Sequence, residues 1–436
     1  MRRNPALGLW TLVALVIGNM IGAGVFTTSG FALADLGSPW LVLAAWLIGG
    51  LLALCGALSY AGLARLVPGS AGEYLYLSRI VHPAVGFIAG WVSLLAGFTA
   101  AIAYSALTFA AYALGPDAGA AKAVATAVIV VAVLLHALRV RQGAWVQNAA
   151  VALKLVLLAA FCGLAVFGGG PWSGLAAPDP PPFSLAAFAL TLLWISFSYS
   201  GFNAAVYVAG EVPSAETVVP RALLLGTLLT LLLYLALNAV FVLAPPFEAA
   251  AGQEDVAAIA ARALGGEPLA AAIRLLIALA LFTSVSAMVM AGPRVYAKMA
   301  EDGLFPRVFR SRDGAPTAAV ALQGALAVGV VWLTGLRELL SYLGFTLGLS
   351  AAGTAAALFV AVRRQPGRRR ELPGYPWAHP WAYPWAYPLA PAVFVVFTLV
   401  FAGLAATVNP REMLAAVATI ASGGLLYRLT RGRRPV

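Results

Sequence analysis

The sequence predicts an all-α integral membrane protein of 12 transmembrane helices, arranged as a 5+5 inverted repeat with broken helices 1 and 6, plus two appended helices. Three observations lead to this prediction. Hydrophobic residues make up 62% of the 436 positions and charged residues only 10%. Apolar runs of about 20 residues recur along the whole chain. Two of these runs have glycines and polar residues at their centres.

Hydropathy divides the chain into spans that are separated by short polar loops. The first five-helix repeat covers 1–168, the second covers 185–362, a cytoplasmic Pro/Trp-rich loop covers 363–388, and two appended spans with a basic tail cover 389–436. The predicted spans are Leu9 to Leu33, Trp40 to Leu63, Ala84 to Leu114, Ala120 to Ala137, Trp145 to Phe167, Leu185 to Ala209, Ala222 to Leu243, Ala270 to Met299, Ala318 to Thr334, Leu339 to Val362, Leu389 to Val408 and Met413 to Leu429.

Basic residues are distributed unequally between the two sides of these spans. With Lys154 set aside, 21 Lys and Arg lie on the side of the N-terminus and 5 on the other. The positive-inside rule then predicts a multi-pass protein of the cell (inner) membrane with both termini in the cytoplasm. Arg2 and Arg3 resemble the start of a signal peptide, but the long, broken run that follows predicts that the N-terminus is retained.

Charge and residue usage argue against several function classes. The net charge of +11 comes from short loops and forms no groove-sized patch, so no nucleic acid partner is expected. Cys55 and Cys162 lie in apolar runs and the three histidines are scattered, so neither a disulfide framework nor a metal site is indicated. No ATP-binding motif and no intramembrane nucleophile with a base occur. We expect no enzyme, no cofactor, and a monomer or weak homo-oligomer in the lipid bilayer.

Two connecting segments have unusual sequences. Ala244 to Leu269 contains acidic residues among alanines, and either short helices over an outer vestibule or a plain solvated loop would fit it. Tyr375 to Tyr387 repeats Pro-Trp-Ala-aromatic three times. Because proline blocks a helix and Trp and Tyr favour the headgroup layer, an interfacial strap is expected, with a proline-rich partner motif as the alternative.

The first span is interrupted at its centre. Gly18 to Phe26 reads G-N-M-I-G-A-G-V-F and has Gly22 and Gly24 where a stable helix favours larger side chains. Unpaired backbone in lipid is costly, so such a break is expected only where it lines a cavity or meets a ligand. The amides of the second half would favour an anion and the carbonyls of the first half a cation. A free amino acid has both charges. Close packing of a neighbouring helix on the glycines is the alternative.

The sixth span has a second polar centre, F-S-Y-S-G-F-N at Phe197 to Asn203. It stands five spans after the first break. Two interrupted helices at matching positions of two halves indicate a transporter site at the repeat interface, and an odd repeat length gives the halves opposite orientations.

In four segments the chain resembles the amino acid, polyamine and organocation permease superfamily. These segments are G-A-G-V-F at Gly22 to Phe26, P-G-S-A-G-E-Y-L-Y-L at Pro68 to Leu77 with Gly90 and Trp91, F-S-Y-S-G-F-N with Glu211 and Pro220 to Ala222, and R-V-Y-A-K-M-A-E-D-G-L-F-P at Arg294 to Pro306. The resemblance implies two inverted five-helix repeats and amino acid transport by alternating access.

The resemblance also implies roles for individual residues. The substrate carboxylate would meet the amides of Ala23 and Gly24, and its ammonium the carbonyls of Met20, Phe197 and Ser200. The ring of Phe197 would close over the substrate. The implied substrate site comprises Met20, Ile21, Gly22, Ala23, Gly24, Phe197, Ser198, Ser200, Phe202 and Asn203. Two positions depart from the family: Ala23 replaces a hydroxyl residue, and Ser214 to Glu216 replace the usual Asn, Pro and basic residue.

Lys154 is the one charge that the sequence places deep in an apolar run. A charged residue at this depth costs free energy to place in the bilayer, so a function is expected for it. The alternative is that its side chain snorkels to the interface. It could bind and release a proton, or its ammonium could replace a sodium ion between the first break and hydroxyls such as Ser284. The resemblance supports both uses, since proton-coupled and exchanger members carry lysine at the corresponding place. Either use predicts sodium independence.

The sequence thus predicts proton-coupled symport or exchange of small neutral amino acids. No Asp or Glu lies near midspan to pair with a cationic side chain, which favours neutral substrates. The small residues in the two breaks favour a substrate with a small side chain. The alternatives are a transporter with a cationic or broad substrate range, and a membrane sensor that binds amino acids without moving them.

Overall fold

The computed structural model describes residues 8–67, 69, 72–115, 119–137, 144–176, 181–310, 317–365 and 385–431, with the backbone alone at 144–150 and 385–386. Every regular element in these ranges is helical. The α-helices are α1 Leu9–Met20, α2 Ala23–Leu36, α3 Pro39–Leu66, α4 Gly72–Ile80, α5 Pro83–Val92, α6 Ala101–Leu114, α7 Ala121–Ala137, α8 Ala144–Phe167, α9 Leu185–Ser198, α10 Ala215–Leu243, α11 Phe247–Ala250, α12 Val256–Glu301, α13 Thr317–Leu333, α14 Leu336–Arg364, α15 Ala390–Ala405 and α16 Pro410–Arg431.

Short π-helical and 3₁₀-helical segments adjoin several of these α-helices. A π-helical stretch, Ser93–Ala100, joins α5 and α6 into one long element, and another, Trp385–Leu389, leads into α15. Tighter 3₁₀ turns occupy Ser173–Ala176, Ala204–Glu211 and Arg307–Phe309.

Seven helical stretches of the described chain are long and apolar enough to cross a membrane. They are Pro39–Leu66, Pro83–Leu114, Ala215–Leu243, Val256–Glu301, Leu336–Arg364, Tyr387–Ala405 and Pro410–Thr430. The pair α1 and α2 meets the same criterion when taken together, although it bends by 43° at its break. Four shorter apolar helices follow the remaining predicted spans: Ala121–Ala137, Val151–Phe167, Leu185–Ser198 and Thr317–Leu333. The all-helical, membrane-spanning class predicted from the sequence is confirmed.

Helix ends follow local sequence signals. Ser38 caps α3 by accepting a hydrogen bond from the Leu41 amide, and Pro39 occupies the first position, where its missing N–H costs nothing. Gly37 ends α2 in the left-handed region at φ 63°, a conformation that glycine adopts without strain. Ser184 caps α9 through the Ala187 amide. These caps fix where α3 and α9 begin.

An aromatic cluster forms part of the core between α3, α9 and α10. Trp46 of α3 lies edge-on to Tyr199 and Tyr234, at centroid distances of 5.8 and 5.3 Å. The Trp46 indole donates to Ser29 of α2, whose hydroxyl donates to Asn238 of α10 at 2.6 Å. Since each buried polar group here has a partner, the network ties α2, α3 and α10 together beside the first break.

The segment predicted between spans 7 and 8 is helical in part. α11 occupies Phe247–Ala250, and α12 begins at Val256, well before the predicted span. α12 is interrupted at Gly265 and Gly266, where φ reaches 68° at Gly266. The Gly252 amide donates to Gly30 O, so this segment contacts α2. The Pro-Trp-Ala repeat lies outside the described residues up to position 384.

Candidate functional site

The first break separates α1 from α2 by two residues. α1 ends at Met20, where the Ile21 amide still bonds Ile17 O, and the Gly22 amide turns back onto Met20 O at 2.8 Å. Gly22 is the N-cap of α2, with extended backbone and no side chain to cap the helix. A side chain at Gly22 would meet only Met20 O, at 3.9 Å, so open space lies beside this residue.

The start of α2 presents uncapped backbone amides. In the described part of the chain, the amides of Ala23, Gly24 and Val25 have no hydrogen-bond acceptor, although all three residues are buried. Orphan amides at a helix N-terminus combine N–H donors with the positive end of the helix dipole. Amides of this kind can bind an anion, provided that it is small enough to reach the open space at Gly22.

The second break separates α9 from the 3₁₀ segment Ala204–Glu211. α9 ends at Ser198, and the turn that follows contains Gly201 at φ 100°. A left-handed residue of this kind favours glycine. The Ser200 amide bonds Phe197 O at 2.9 Å, so that carbonyl has one internal donor.

The two breaks pack directly against each other. A Cβ added to Gly24 would lie 2.4 Å from Ser198 Oγ and 2.9 Å from Ser198 Cα. A Cβ added to Gly201 would lie 2.9 Å from Asn19 O. Ser198 Oγ also contacts Thr28 Oγ1 of α2 at 3.2 Å. Glycine is therefore required on each side because the backbone of one interrupted helix meets the other at close range.

Tyr234 of α10 connects the two breaks. Its hydroxyl lies 2.6 Å from Met20 O and 3.1 Å from Ser198 O, the last residues of α1 and α9. Met20 O accepts from both Tyr234 and the Gly22 amide, which uses both of its lone pairs. A substrate ammonium that approaches Met20 O would compete with these donors. Sequence reasoning missed Tyr234, although Tyr234 and Asn238 stand four residues apart in an otherwise apolar run.

Lys154 of α8 also reaches the first break. Its Nζ donates to Ile21 O at 2.8 Å, and the residue is 5% exposed. Among the described residues this is the one acceptor within hydrogen-bond distance of the amine, which has three donor positions when charged. Ser284 is not joined to Lys154 by a hydrogen bond, because its hydroxyl donates to Ala280 O in its own helix.

Phe197 lies beside the breaks and contacts α6. Its ring is edge-on to Tyr104 at 5.3 Å, and the Tyr104 hydroxyl forms a short hydrogen bond with Thr27 of α2. Tyr104 is fully buried and Phe197 is half-buried. Edge-to-face contact of this kind stabilises a pair by about 0.5 to 1.5 kcal/mol, so Tyr104 holds the orientation of the Phe197 ring.

Phe202 and Asn203 belong to a different cluster. The Phe202 ring packs edge-on against Tyr60 of α3 at 5.3 Å. Asn203 Nδ2 donates to Glu73 Oε1 at 3.3 Å, and the Tyr60 hydroxyl donates to the same oxygen at 2.5 Å. The structure therefore brings together Met20, Ile21, Gly22, Ala23, Gly24, Phe197, Ser198 and Lys154, while the side chains of Phe202 and Asn203 point to α3 and α4. Glu73 lies in the loop between the predicted spans Trp40 to Leu63 and Ala84 to Leu114, and no pattern in the sequence indicates its contacts with Tyr60 and Asn203.

The sequence matches a known family over nearly its whole length. A family model described as amino acid permease covers residues 7–422.

Individual relatives are similar at lower identity but over most of their lengths. The chain is 27% identical over 385 residues to the serine/threonine exchanger SteT of Bacillus subtilis (strain 168), covering 85% of this chain and 87% of that protein. It is 27% identical over 389 residues to the human Asc-type amino acid transporter 1, covering 84% and 73%. It is 26% identical over 382 residues to the human large neutral amino acids transporter small subunit 2, covering 83% and 70%.

Proposed function

This chain belongs to the amino acid permease family, and on that premise we propose that it carries small neutral amino acids across the membrane by alternating access, as a sodium-independent exchanger or proton symporter. Membership makes it a multi-pass membrane transporter rather than an enzyme. The uncapped amides of Ala23, Gly24 and Val25 are the observation that carries the proposal, because they supply donors for a carboxylate beside open space at Gly22.

We further propose that the chain has twelve spans in two inverted repeats. The seven long stretches, the bent pair and the four shorter apolar helices give twelve spans if each crosses the membrane once. The excess of basic residues on one side supports cytoplasmic termini and the cell membrane as the location. In this arrangement, α1 to α8 form the first repeat and the breaks meet at the interface with the second.

The substrate would lie with its carboxylate on the amides of Ala23 and Gly24. Its ammonium would face carbonyls of the two breaks, of which Asn19 O and Ser200 O have no donor within the described residues. The side chain would extend towards Phe197. Tyr104 holds that ring in place, and the small residues Ala23 and Ser200 in the breaks favour small substrate side chains, in agreement with the serine and threonine named for the Bacillus relative.

Lys154 would hold the first break in its open form by donating to Ile21 O. An ammonium at this position repels sodium, which supports sodium-independent transport. In this arrangement the substrate and the lysine would each satisfy a different part of the broken backbone, without a co-transported metal ion.

A panel of labelled amino acids in proteoliposomes tests the function. Purified protein is reconstituted in vesicles loaded with unlabelled L-serine or with buffer, in sodium or in choline medium. We expect internal serine to accelerate the uptake of labelled serine, threonine and alanine equally in both media, with much slower uptake of arginine and tryptophan. Protein-free vesicles are the control.

The panel also separates the competing functions. Uptake of arginine at the rate of serine would indicate a cationic or broad substrate range. Binding of labelled serine to the purified protein without entry into vesicles would indicate a sensor. Neither binding nor uptake of any labelled amino acid would contradict the proposal.

A further inference from the structure

A carboxyl group lies just beyond the second break, outside the site described above. Glu73 of α4 is partly buried, and its Oε1 accepts hydrogen bonds from Tyr60 of α3 at 2.5 Å and from Asn203 at 3.3 Å. Asn203 is the N-cap of the 3₁₀ segment Ala204–Glu211. One carboxyl oxygen thus connects three elements: α3, α4 and the half of span 6 that follows its break.

The groups that face Glu73 are neutral at ordinary pH. Tyr60 comes from α3 and Tyr207 from the 3₁₀ segment. Within the described ranges, no Lys, Arg or His forms an ion pair with Glu73. α4 also packs on α5 and α14, where Arg364 of α14 donates to Ile80 O at the other end of α4 and His82 caps α5. Next to Glu73, Tyr74 donates to Asp302, a carboxylate at the end of α12.

Burial raises the pKa of Glu73, and the hydrogen bonds from Tyr60 and Asn203 lower it in part. The carboxyl can take up a proton without breaking an ion pair, because its partners are neutral donors. Oε1 can continue to accept from Tyr60 and Asn203 while Oε2 carries the proton. The residue is also partly exposed, so the proton has a route from water.

The elements around Glu73 are in tight contact. Gly72 starts α4 with φ 56°, and a Cβ there would lie 2.2 Å from Cε1 of Tyr207. Phe202 packs on Tyr60 from the other side of the break. α4 therefore cannot separate from the 3₁₀ segment without breaking the Glu73 hydrogen bonds and this contact.

We propose that Glu73 is a proton-binding site, and that proton binding stabilises the closed contact of α3 and α4 with the 3₁₀ segment Ala204–Glu211. The proposal rests on the proposed transport function, since opening and closing of this contact would be one half of alternating access. The step is a simple protonation: carboxylate plus H⁺ gives the carboxylic acid.

The direction in which pH shifts the equilibrium between closed and opened arrangements follows from which of them binds the proton more tightly. The closed arrangement raises the pKa of Glu73 relative to a hydrated carboxyl, so it binds the proton more tightly than an opened arrangement does. Lower pH therefore favours the closed contact and higher pH favours opening. If the pKa of Glu73 is higher by about 1 in the closed arrangement than in the opened one, the ratio of closed to opened protein changes by about tenfold across the titration of Glu73.

Glu73→Gln tests the proposal, because glutamine resembles the protonated acid and still accepts from Tyr60. Exchange of labelled serine is measured between pH 5 and pH 8 on the parent, on Glu73→Gln, and on Glu216→Gln as the matched control. Glu216 is an exposed glutamate in the first turn of α10, so its substitution makes the same change in charge. We expect a pH-dependent rate for the parent and Glu216→Gln, and for Glu73→Gln a flat profile at the parent's low-pH rate.

Tyr60→Phe supplies a second variant. It removes a donor that favours the charged carboxylate, so the midpoint of the pH profile should move to higher pH. A parent profile that is flat, or a Glu73→Gln profile that equals that of the parent, would overturn the proposal while leaving amino acid transport intact.

An infrared titration keeps the proton site testable if the protein moves no amino acid at all. A carboxylic acid band that grows as pH falls in the parent and is missing in Glu73→Gln supports proton binding at Glu73. The same band in both proteins, or in neither, overturns it.

Discussion

Replacing Gly24 by alanine is expected to reduce amino acid exchange by about ten- to one-hundredfold. The added methyl group would lie 2.4 Å from Ser198 Oγ and 2.9 Å from Ser198 Cα, and the second of these atoms belongs to the backbone. Forcing extra volume into a packed contact costs about 1 to 3 kcal/mol, and each 1.4 kcal/mol corresponds to a factor of about ten. The two breaks would be pushed apart, which displaces the amides from the carbonyls that face them.

Gly353→Ala is the matched control for this substitution. Gly353 lies in α14, and nothing comes within 4 Å of a Cβ added there. It should exchange serine at the parental rate. Both variants are compared after size-exclusion chromatography, which separates loss of transport from loss of folding. A monodisperse Gly24→Ala protein with parental exchange would show that the contact between the breaks is not needed.

Replacing Lys154 by alanine is expected to lower exchange by about tenfold or more. The substitution leaves Ile21 O, in a residue that is 1% exposed, without its hydrogen-bond donor. An unsatisfied buried acceptor costs about 1 to 3 kcal/mol, which here destabilises the broken form of span 1. The pH dependence should remain, because the proton site proposed above is Glu73. Initial exchange rates at several pH values measure both effects.

Lys122→Ala is the control for the lysine. Lys122 also donates to a backbone carbonyl, that of Trp332 at 3.3 Å, but this contact is exposed. Its loss should leave exchange unchanged, since exposed hydrogen bonds are readily replaced by water. Parental rates for Lys154→Ala would make the residue dispensable. Retained exchange with a flat pH profile would assign the proton to Lys154 instead of Glu73.

The sequence predicted those features of the fold that depend on local patterns. Glycines at 22 and 24 within an apolar run indicated a break, and the helix does bend by 43° between Met20 and Ala23. The turn after Ser198 was indicated in the same way by the polar residues around Gly201. Such signals are readable because glycine lacks a Cβ, so glycines within an apolar run weaken a helix and favour a break there.

Contacts between distant segments could not be predicted in this way. Tyr234 lies 214 positions from Met20, yet its hydroxyl is close to both breaks. Asn203 was grouped with the substrate site because of its place in the motif, whereas its side chain faces Glu73, 130 positions away. Periodicity indicates which residues share a helix face, but it does not indicate which neighbouring helix that face will meet.

The role of Lys154 illustrates the same limit. Its position deep in an apolar run identified it as a functional candidate, and the expected partner, the broken backbone of span 1, is the one that the structure provides at Ile21 O. The other expected partner, Ser284, bonds within α12 instead, because a serine in a helix can donate to the carbonyl four residues before it.

A cryo-electron microscopy structure of the purified protein with saturating L-serine tests the substrate site most directly. We expect density for one serine between the two breaks, with its carboxylate within hydrogen-bond distance of the amides of Ala23 and Gly24 and its ammonium towards the carbonyls of Asn19 and Ser200. Serine bound elsewhere in the protein, with residues 20–24 and 197–203 making no contact to it, would contradict the proposed site.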